Sequence, residues 1–102
     1  MNLMPVNLHF ICRNQSNWNQ VGPTEFDSGN WKISKETAKE AVGCRIFLHE
    51  RQNEVAWHGG RILSWREYPQ ESGRLIFTYK VEDGFGILLS DGWSQEKAII
   101  RL

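Results

Sequence analysis

Seven side chains that could bind a polar ligand lie in two polar segments of the sequence. Arginine and asparagine side chains form hydrogen bonds with phosphate oxygens or with the edges of nucleobases. Indole rings stack on bases, and a neutral imidazole both donates and accepts a hydrogen bond. Each of these residue types could contact a planar, polar ligand. The candidate ligand-binding residues are Arg13, Asn14, Trp18, Trp31, His49, Trp57 and His58.

Each candidate also has a structural interpretation that the sequence leaves open. Trp18 and Trp31 lie in a segment rich in Asn, Gln, Ser and Gly. There they either contact a ligand or anchor a long loop. Arg13 and Asn14 directly follow an apolar segment and could simply form a solvated turn. We place Trp57 in a polar loop, where it either forms a contact surface or folds back over the domain.

Some of these residues, above all the histidines, could also belong to a catalytic or metal-binding site. The spacing of His49 and His58 matches no common zinc pattern, and no cysteine pair accompanies it. The sequence contains no hydrolase elbow, phosphate-binding loop, dinucleotide fingerprint or HExxH motif. We therefore predict no catalytic residues, no metal and no cofactor, and we favour a binding module over an enzyme.

Composition narrows the class of protein. The chain has 102 residues, which fits one domain spanning residues 1–102, and its 12 basic and 12 acidic residues cancel. This balance argues against sequence-independent binding through phosphates, and it predicts modest affinity with a shallow salt dependence for any nucleic-acid ligand. Cys12 and Cys44 are expected to be reduced, buried thiols in a cytoplasmic protein, with a disulfide between them as the alternative. The first ten residues do not resemble a signal peptide, and no apolar stretch is long enough for a membrane-spanning helix.

Periodicity predicts a mainly β (α+β) domain. Val6, Leu8, Phe10 and Cys12 alternate with polar or exposed positions, among which we expect His9 to face solvent or a neighbouring strand. One helix is expected at residues 34–43, with Ser34 as N-cap, an apolar stripe at positions 38, 41 and 42, and a terminal glycine. Strands are expected at residues 6–12, 44–50, 60–66, 74–81 and 97–102, with a long loop at 13–33 and a short strand or helical turn at 85–89. The expected architecture is a small antiparallel β-barrel of five to six strands with one capping helix.

The sequence around the predicted helix and hairpin resembles the PUA-like superfamily, which includes the EVE, ASCH and YTH domains. The resemblance rests on VGCRIFLH at residues 42–49 and GGRILSW at residues 59–65, although Cys44 stands where many relatives carry an acidic residue. It implies binding of RNA or DNA, with a single and sometimes modified base held in an aromatic-lined pocket. The loop after the first strand and the central hairpin would frame that pocket.

Three functions are consistent with these patterns. The first is a non-catalytic module that recognises a nucleobase or a short nucleic-acid segment. The second, implied by the resemblance, is an ASCH-like hydrolase of modified nucleosides. The third is a protein-interaction domain whose contact surface is the loop containing Trp57.

Overall fold

The computed structural model of the chain describes residues 5–102 and contains seven strands and one α-helix within that range. Part of the segment tested for a signal peptide, residues 1–4, lies outside the described residues. No helix in residues 5–102 is both long and apolar enough to cross a membrane. The elements are β1 Val6–Ile11, β2 Trp18–Gln20, β3 Glu25–Lys32, α1 Lys35–Ala41, β4 Arg45–His49, β5 Ala56–Glu67, β6 Arg74–Val81 and β7 Lys97–Arg101.

The strands form one mixed sheet in the order β2-β3-β6-β5-β4-β1-β7. β1 and β4 run parallel, and the other neighbouring pairs are antiparallel. The prediction of a mostly β domain with one helix is confirmed. The prediction of a closed antiparallel barrel of five to six strands is wrong, because the sheet has seven strands and is not closed.

The predicted long loop at residues 13–33 instead contains a short turn at Arg13–Gln15, β2 and β3. Gly, Asn and Asp disfavour strands, which explains why this segment reads as a loop. Tertiary packing overrides that preference, because Phe26, Ser28 and Trp31 of β3 point into the core. Residues 85–89 adopt neither of the two predicted structures and are irregular.

The central hairpin is confirmed, but its second strand starts four residues earlier than expected. β5 begins at Ala56, so Trp57 and His58 lie in a strand rather than in a polar loop. The Gly59–Gly60 pair serves strand packing, since a Cβ atom at Gly59 would collide with the carbonyl oxygen of Ile46, and one at Gly60 with that of Lys80.

The helix prediction is confirmed in position and capping. The Ser34 hydroxyl accepts a hydrogen bond from the Thr37 backbone N–H at 3.2 Å, and Gly43 adopts a φ of +85° after the helix. Ala38 and Ala41 are buried where α1 packs against β1 and β5. Val42 was expected in the same apolar stripe but is exposed, because the chain has already left the helical path there.

The core lies on the face of the sheet that α1 covers, where α1 contacts β1 and β5. The predicted inward face of β1 is confirmed, since Val6, Leu8, Phe10 and Cys12 are all buried. Of the two alternatives for His9, solvent is wrong, because residues after β6 bury this face of the sheet, whereas the neighbouring strand is correct, since His9 contacts Phe47 and His49 of β4. Both cysteines are free thiols; Cys12 is buried and Cys44 is half-buried.

Candidate functional site

A polar cavity of about 530 Å³ opens where several loops and strands meet. Its volume lies within the range of small-molecule sites. It lies between the end of β1, the β1–β2 connection, the centre of β3, the β4–β5 turn, the start of β6 and the turn before β7. The lining residues are Ile11, Cys12, Arg13, Ser16, Asn17, Gly29, Asn30, Trp31, Gln52, Arg74, Gln95 and Glu96.

A β-bulge in β3 forms one side of this cavity. Ser28 pairs with Phe77 and Trp31 with Leu75, so β3 has one residue more than β6 between these two pairs. Such an insertion interrupts the ladder and redirects side chains, and bulges are frequent beside binding sites. Here it places the half-buried Asn30 at the cavity while Trp31 returns to the core.

The β1–β2 connection forms the opposite side through left-handed backbone conformations. Asn14, Gln15 and Asn17 each have a φ of 54°, a region that asparagine tolerates better than most residues. The backbone N–H of Asn14 donates to both carboxylate oxygens of Glu50, at 3.1 and 3.2 Å, and this fixes the turn to the end of β4. Asn14 thus positions its neighbour Arg13, which lines the cavity itself.

The apolar residues of the lining include Ile11 and Trp31, and the indole of Trp31 is largely buried. One face of this indole stacks on Phe10 with ring centroids 4.3 Å apart, and its N–H donates to the Ser28 hydroxyl at 3.0 Å. Cys12 lies next to it, and burial together with the nearby Glu50 carboxylate raises the pKa of its thiol to about 11. The thiol is therefore protonated at neutral pH and donates to the Ser16 carbonyl oxygen at 3.3 Å.

Several polar side chains at the cavity are available to a ligand. Within the described part of the chain, the side chains of Arg13, Asn17, Asn30 and Gln95 form no hydrogen bond with the protein. The Gln52 amide group donates to the Gln95 carbonyl oxygen at 2.7 Å, which joins the β4–β5 turn to the turn before β7 and leaves the Gln52 amide oxygen free to accept. The cavity thus offers amide donors and acceptors next to a guanidinium group.

Arg74 and Glu96 complete the charged groups of this cavity. The Arg74 guanidinium donates to the Glu71 carboxylate at 2.7 Å and to the Asn30 carbonyl oxygen at 3.3 Å. Its nearest oxygen of Glu96 is 4.0 Å away. These bonds hold Arg74 in place as part of the frame, so Arg13 is the cationic side chain left free for a ligand.

A second, smaller cavity of about 120 Å³ adjoins the first. In this cavity the Asp27 carboxylate accepts hydrogen bonds from the Arg66 guanidinium at 2.7 Å and the Thr78 hydroxyl at 2.6 Å. Burial alone would raise the pKa of Asp27, but these two hydrogen bonds and the Arg66 charge outweigh it and hold the pKa below its ordinary value. The lining residues are Asn17, Asn19, Asp27, Gly29, Arg66, Tyr68 and Ile76.

Three of the predicted ligand residues belong instead to an aromatic cluster around Tyr79. The Trp18 indole N–H donates to the Tyr79 hydroxyl oxygen at 2.7 Å, and the hydroxyl therefore donates to Nδ1 of His58, also at 2.7 Å. The Trp57 ring meets Trp18 edge to face, and its N–H donates to the Cys12 carbonyl oxygen at 3.2 Å. Trp18, Trp57 and His58 line neither of the two cavities, and burial lowers the pKa of His58.

His49 lies in the interior on the other side of the sheet from this cluster. Its Nδ1–H donates to the Glu54 carbonyl oxygen and its Nε2 accepts from Nδ1 of His9, both at 2.9 Å. Burial lowers the pKa of both imidazoles, that of His9 to about 4, and the hydrogen bond to Glu54 only partly offsets this for His49. His49 has no access to either cavity.

Of the seven predicted residues, the structure therefore brings Arg13 and Trp31 together at the larger cavity and places Asn14 beside them. Across residues 5–102, no group of three or more His, Cys, Asp or Glu side chains is arranged to hold a metal ion. Sequence reasoning missed the amide-bearing residues and Arg74, because amides in loops are common and nothing in their spacing marks them. The residues missed are Ser16, Asn17, Asn30, Gln52, Arg74, Gln95 and Glu96.

Comparison with protein-family models, curated proteins and solved structures finds no match for this chain. The resemblance to the PUA-like superfamily stays a prediction.

Proposed function

We propose that this protein is a non-catalytic binding module that holds a nucleobase, free or within a short nucleic-acid segment, in the larger cavity. The observation that carries the proposal is the set of polar cavity-lining side chains without a protein partner in residues 5–102, which includes Arg13, Asn17, Asn30 and Gln95. Amide and guanidinium groups are the side chains that pair best with the hydrogen-bonding edges of bases.

The position of Trp31 adds a second argument. Recognition of unpaired bases combines hydrogen bonds to their edges with contact to a flat aromatic or apolar surface. Trp31 is buried in the wall of the cavity, and its packing on Phe10 holds the indole in one orientation. The site differs from the aromatic-lined pocket implied by the resemblance, because amides and arginines surround this single indole.

Charge supports a base rather than a phosphate as the main recognition element. The cavity carries Arg13 and Arg74 against one carboxylate, Glu96, and Arg74 is already bonded to Glu71. One or two phosphate contacts would give a salt slope of only about −0.7 to −1.4 for a single-stranded ligand. We expect stacking and base-edge hydrogen bonds to supply most of the affinity.

The direct test is a titration of the ¹⁵N-labelled protein with nucleosides, nucleoside monophosphates and short single-stranded oligonucleotides at two salt concentrations. The chain has five tryptophans, so five indole N–H signals can be followed separately. We expect the Trp31 signal to move with saturation while that of Trp65, on the outer part of β5, stays in place. A folded protein whose signals move with no member of the panel would overturn the proposal.

A pair of arginine variants tests whether the ligand binds in the larger cavity. Arg13→Gln removes the free cationic group and should weaken binding about 5- to 100-fold, as expected for the loss of one good base or phosphate contact. Arg51→Gln is the control, because Arg51 is also an exposed arginine, contacts only Glu54 of its own turn, at 3.8 Å, among the described salt bridges, and lines no described cavity. Equal effects of the two substitutions would show that binding responds only to net charge and would contradict this site.

A second pair of variants tests base-edge recognition. Asn30→Asp keeps the shape of the side chain but replaces an amide donor with a carboxylate oxygen, so it should change which base binds best. Asn53→Asp adds the same charge at an exposed position of the β4–β5 turn and should leave the preference unchanged. An unaltered preference in Asn30→Asp would exclude Asn30 from base reading.

A further inference from the structure

The two cavities share part of their lining. Asn17 and Gly29 line both, and the Gly29 backbone N–H donates to the Asn17 carbonyl oxygen at 3.2 Å. These two residues and the backbone hydrogen bond between them lie where the two linings meet. The two cavities are therefore adjacent, since they meet at the same two residues.

The smaller cavity has a different chemistry from the larger one. Its cation, Arg66, is already paired with Asp27, and the Thr78 hydroxyl fixes that carboxylate from the other side. The ion pair cancels the charge, so the smaller cavity lacks a free anchor for phosphate. What it offers is the half-buried ring of Tyr68 beside the amide of Asn19, whose side chain forms no hydrogen bond within residues 5–102.

The backbone holds Tyr68 at the edge of this cavity. Tyr68 directly follows β5, and its N–H donates to the Arg74 carbonyl oxygen at 2.8 Å across the β5–β6 turn. Arg74 itself lines the larger cavity. The same turn thus positions one residue of each cavity, which fixes the distance between the two sites.

We infer that the two cavities are adjacent subsites for one single-stranded nucleic-acid segment, with one base in the larger cavity and the neighbouring base stacked on Tyr68 in the smaller. This inference rests on the proposed function and narrows its ligand class from a free base to a segment of at least two nucleotides. An aromatic ring next to an amide suits a base of any identity, so the second subsite adds affinity with little sequence preference.

The test compares mononucleotides with dinucleotides. We would measure dissociation constants by calorimetry for the nucleoside 5′-monophosphates and for the homodinucleotides of each base, in ribose and deoxyribose forms. The dinucleotide of the base preferred by the larger cavity should bind 5- to 100-fold more tightly than its mononucleotide, as stacking of one base on an aromatic ring predicts. Equal affinities would overturn the inference.

Variants of Tyr68 test whether the higher affinity of the dinucleotide arises in the smaller cavity. Tyr68→Ala should abolish the advantage of the dinucleotide while leaving the mononucleotide constant within twofold, and Tyr68→Phe, which keeps the ring, should retain it. Circular dichroism and the unfolding midpoint of each variant confirm that the fold is unchanged. A loss shared equally by mononucleotide and dinucleotide would contradict a separate second subsite.

Failure of this inference is distinguishable from failure of the proposed function. If mononucleotides bind and respond to Arg13→Gln but dinucleotides gain nothing, the larger cavity is a base site and the second subsite is refuted. If neither mononucleotides nor dinucleotides bind to the folded protein, the proposed function itself is refuted, and the inference falls with it.

Discussion

Nδ1 of His9 lies 2.9 Å from Nε2 of His49, and both rings are buried between the sheet and Trp93. The proton positions follow from the third group in this series of hydrogen bonds, which is the carbonyl oxygen of Glu54. A carbonyl oxygen can only accept, so the neutral His49 ring carries its proton on Nδ1 and donates it to Glu54. His9 must then donate from Nδ1, and protonation of His49 at Nε2 would remove the acceptor of this hydrogen bond.

This arrangement predicts a loss of stability on mild acidification. Burial and the neighbouring His49 lower the pKa of His9 from 6.5 to about 4, so the unfolded chain binds a proton more readily than the folded one. Stability from this group is present above pH 6.5 and falls as the pH drops toward 4, by about 3 kcal/mol in total. The lowered pKa values of His49 and His58 act in the same direction. Urea unfolding at pH values from 7.5 to 4.5 measures the slope.

The variant His9→Gln serves as the control for that prediction. Its amide can still donate to Nε2 of His49 but does not titrate, so its stability should vary less with pH between 6.5 and 4.5. Asp27 does not interfere in this window, because its pKa is lowered from 3.8 and its contribution is lost only in stronger acid. A variant whose pH slope matches that of the wild type would show that His9 is not responsible.

Tyr79 is the next group whose removal should be costly. Its hydroxyl is buried and bonds to both Trp18 and His58, and burial raises its pKa far above the ordinary value. Tyr79→Phe leaves an indole N–H and an imidazole nitrogen without their partner, so we expect a loss of about 1–3 kcal/mol in the free energy of unfolding. Thermal and urea denaturation measure this.

Tyr68→Phe provides the comparison, since the Tyr68 hydroxyl forms no hydrogen bond with other residues in the range 5–102. That substitution should change stability by no more than about 0.5 kcal/mol. If Tyr79→Phe were equally mild, water would have to replace the lost bonds, and the cluster would not depend on the hydroxyl.

The fold could be predicted where one physical signal dominated. The alternation in β1, the capping serine of α1 and the glycine after it each belong to a local pattern, and all three were located correctly. β3 could not be found this way, because its Asp27, Gly29 and Asn30 disfavour strands. It forms because Phe26 and Trp31 pack on residues far away in the sequence.

The candidate site was less predictable than the fold. Arg13 and Trp31 were singled out by residue type, and both line the larger cavity. His49 and Trp57 were singled out for the same reason but lie in the interior or in the aromatic cluster. Residue type alone cannot separate these cases, since an indole or imidazole with a buried partner looks the same in a sequence as one that faces a cavity.

The N-cap of α1 leads to a prediction for the free energy of unfolding. The Ser34 hydroxyl accepts from the Thr37 N–H, and α1 has only seven residues, so one satisfied amide matters. Ser34→Ala should lower the free energy of unfolding by about 1 kcal/mol, whereas Ser34→Asp, which retains an acceptor at the N-terminus, should stay close to the wild type. Urea denaturation of the wild type and the two variants measures these free energies of unfolding. Equal losses of stability in both variants would rule out capping as the cause.

Gly29 links the packing of the sheet to the candidate site. A Cβ atom at this position would lie 2.7 Å from Cγ1 of Ile76 and 2.9 Å from its Cα. The backbone of β6 cannot yield without disturbing its neighbours, so Gly29→Ala should lower the free energy of unfolding by about 1–3 kcal/mol, as overpacking does.

Gly86→Ala is the matched control, because a Cβ atom there meets nothing within 4 Å and its φ is not positive. Urea denaturation of both variants should show a shift for Gly29→Ala and a change of no more than about 0.5 kcal/mol for Gly86→Ala. Equal stability of the two would mean that β3 and β6 are farther apart at the bulge than the structure places them, and the shared lining of the two cavities would then need to be redrawn.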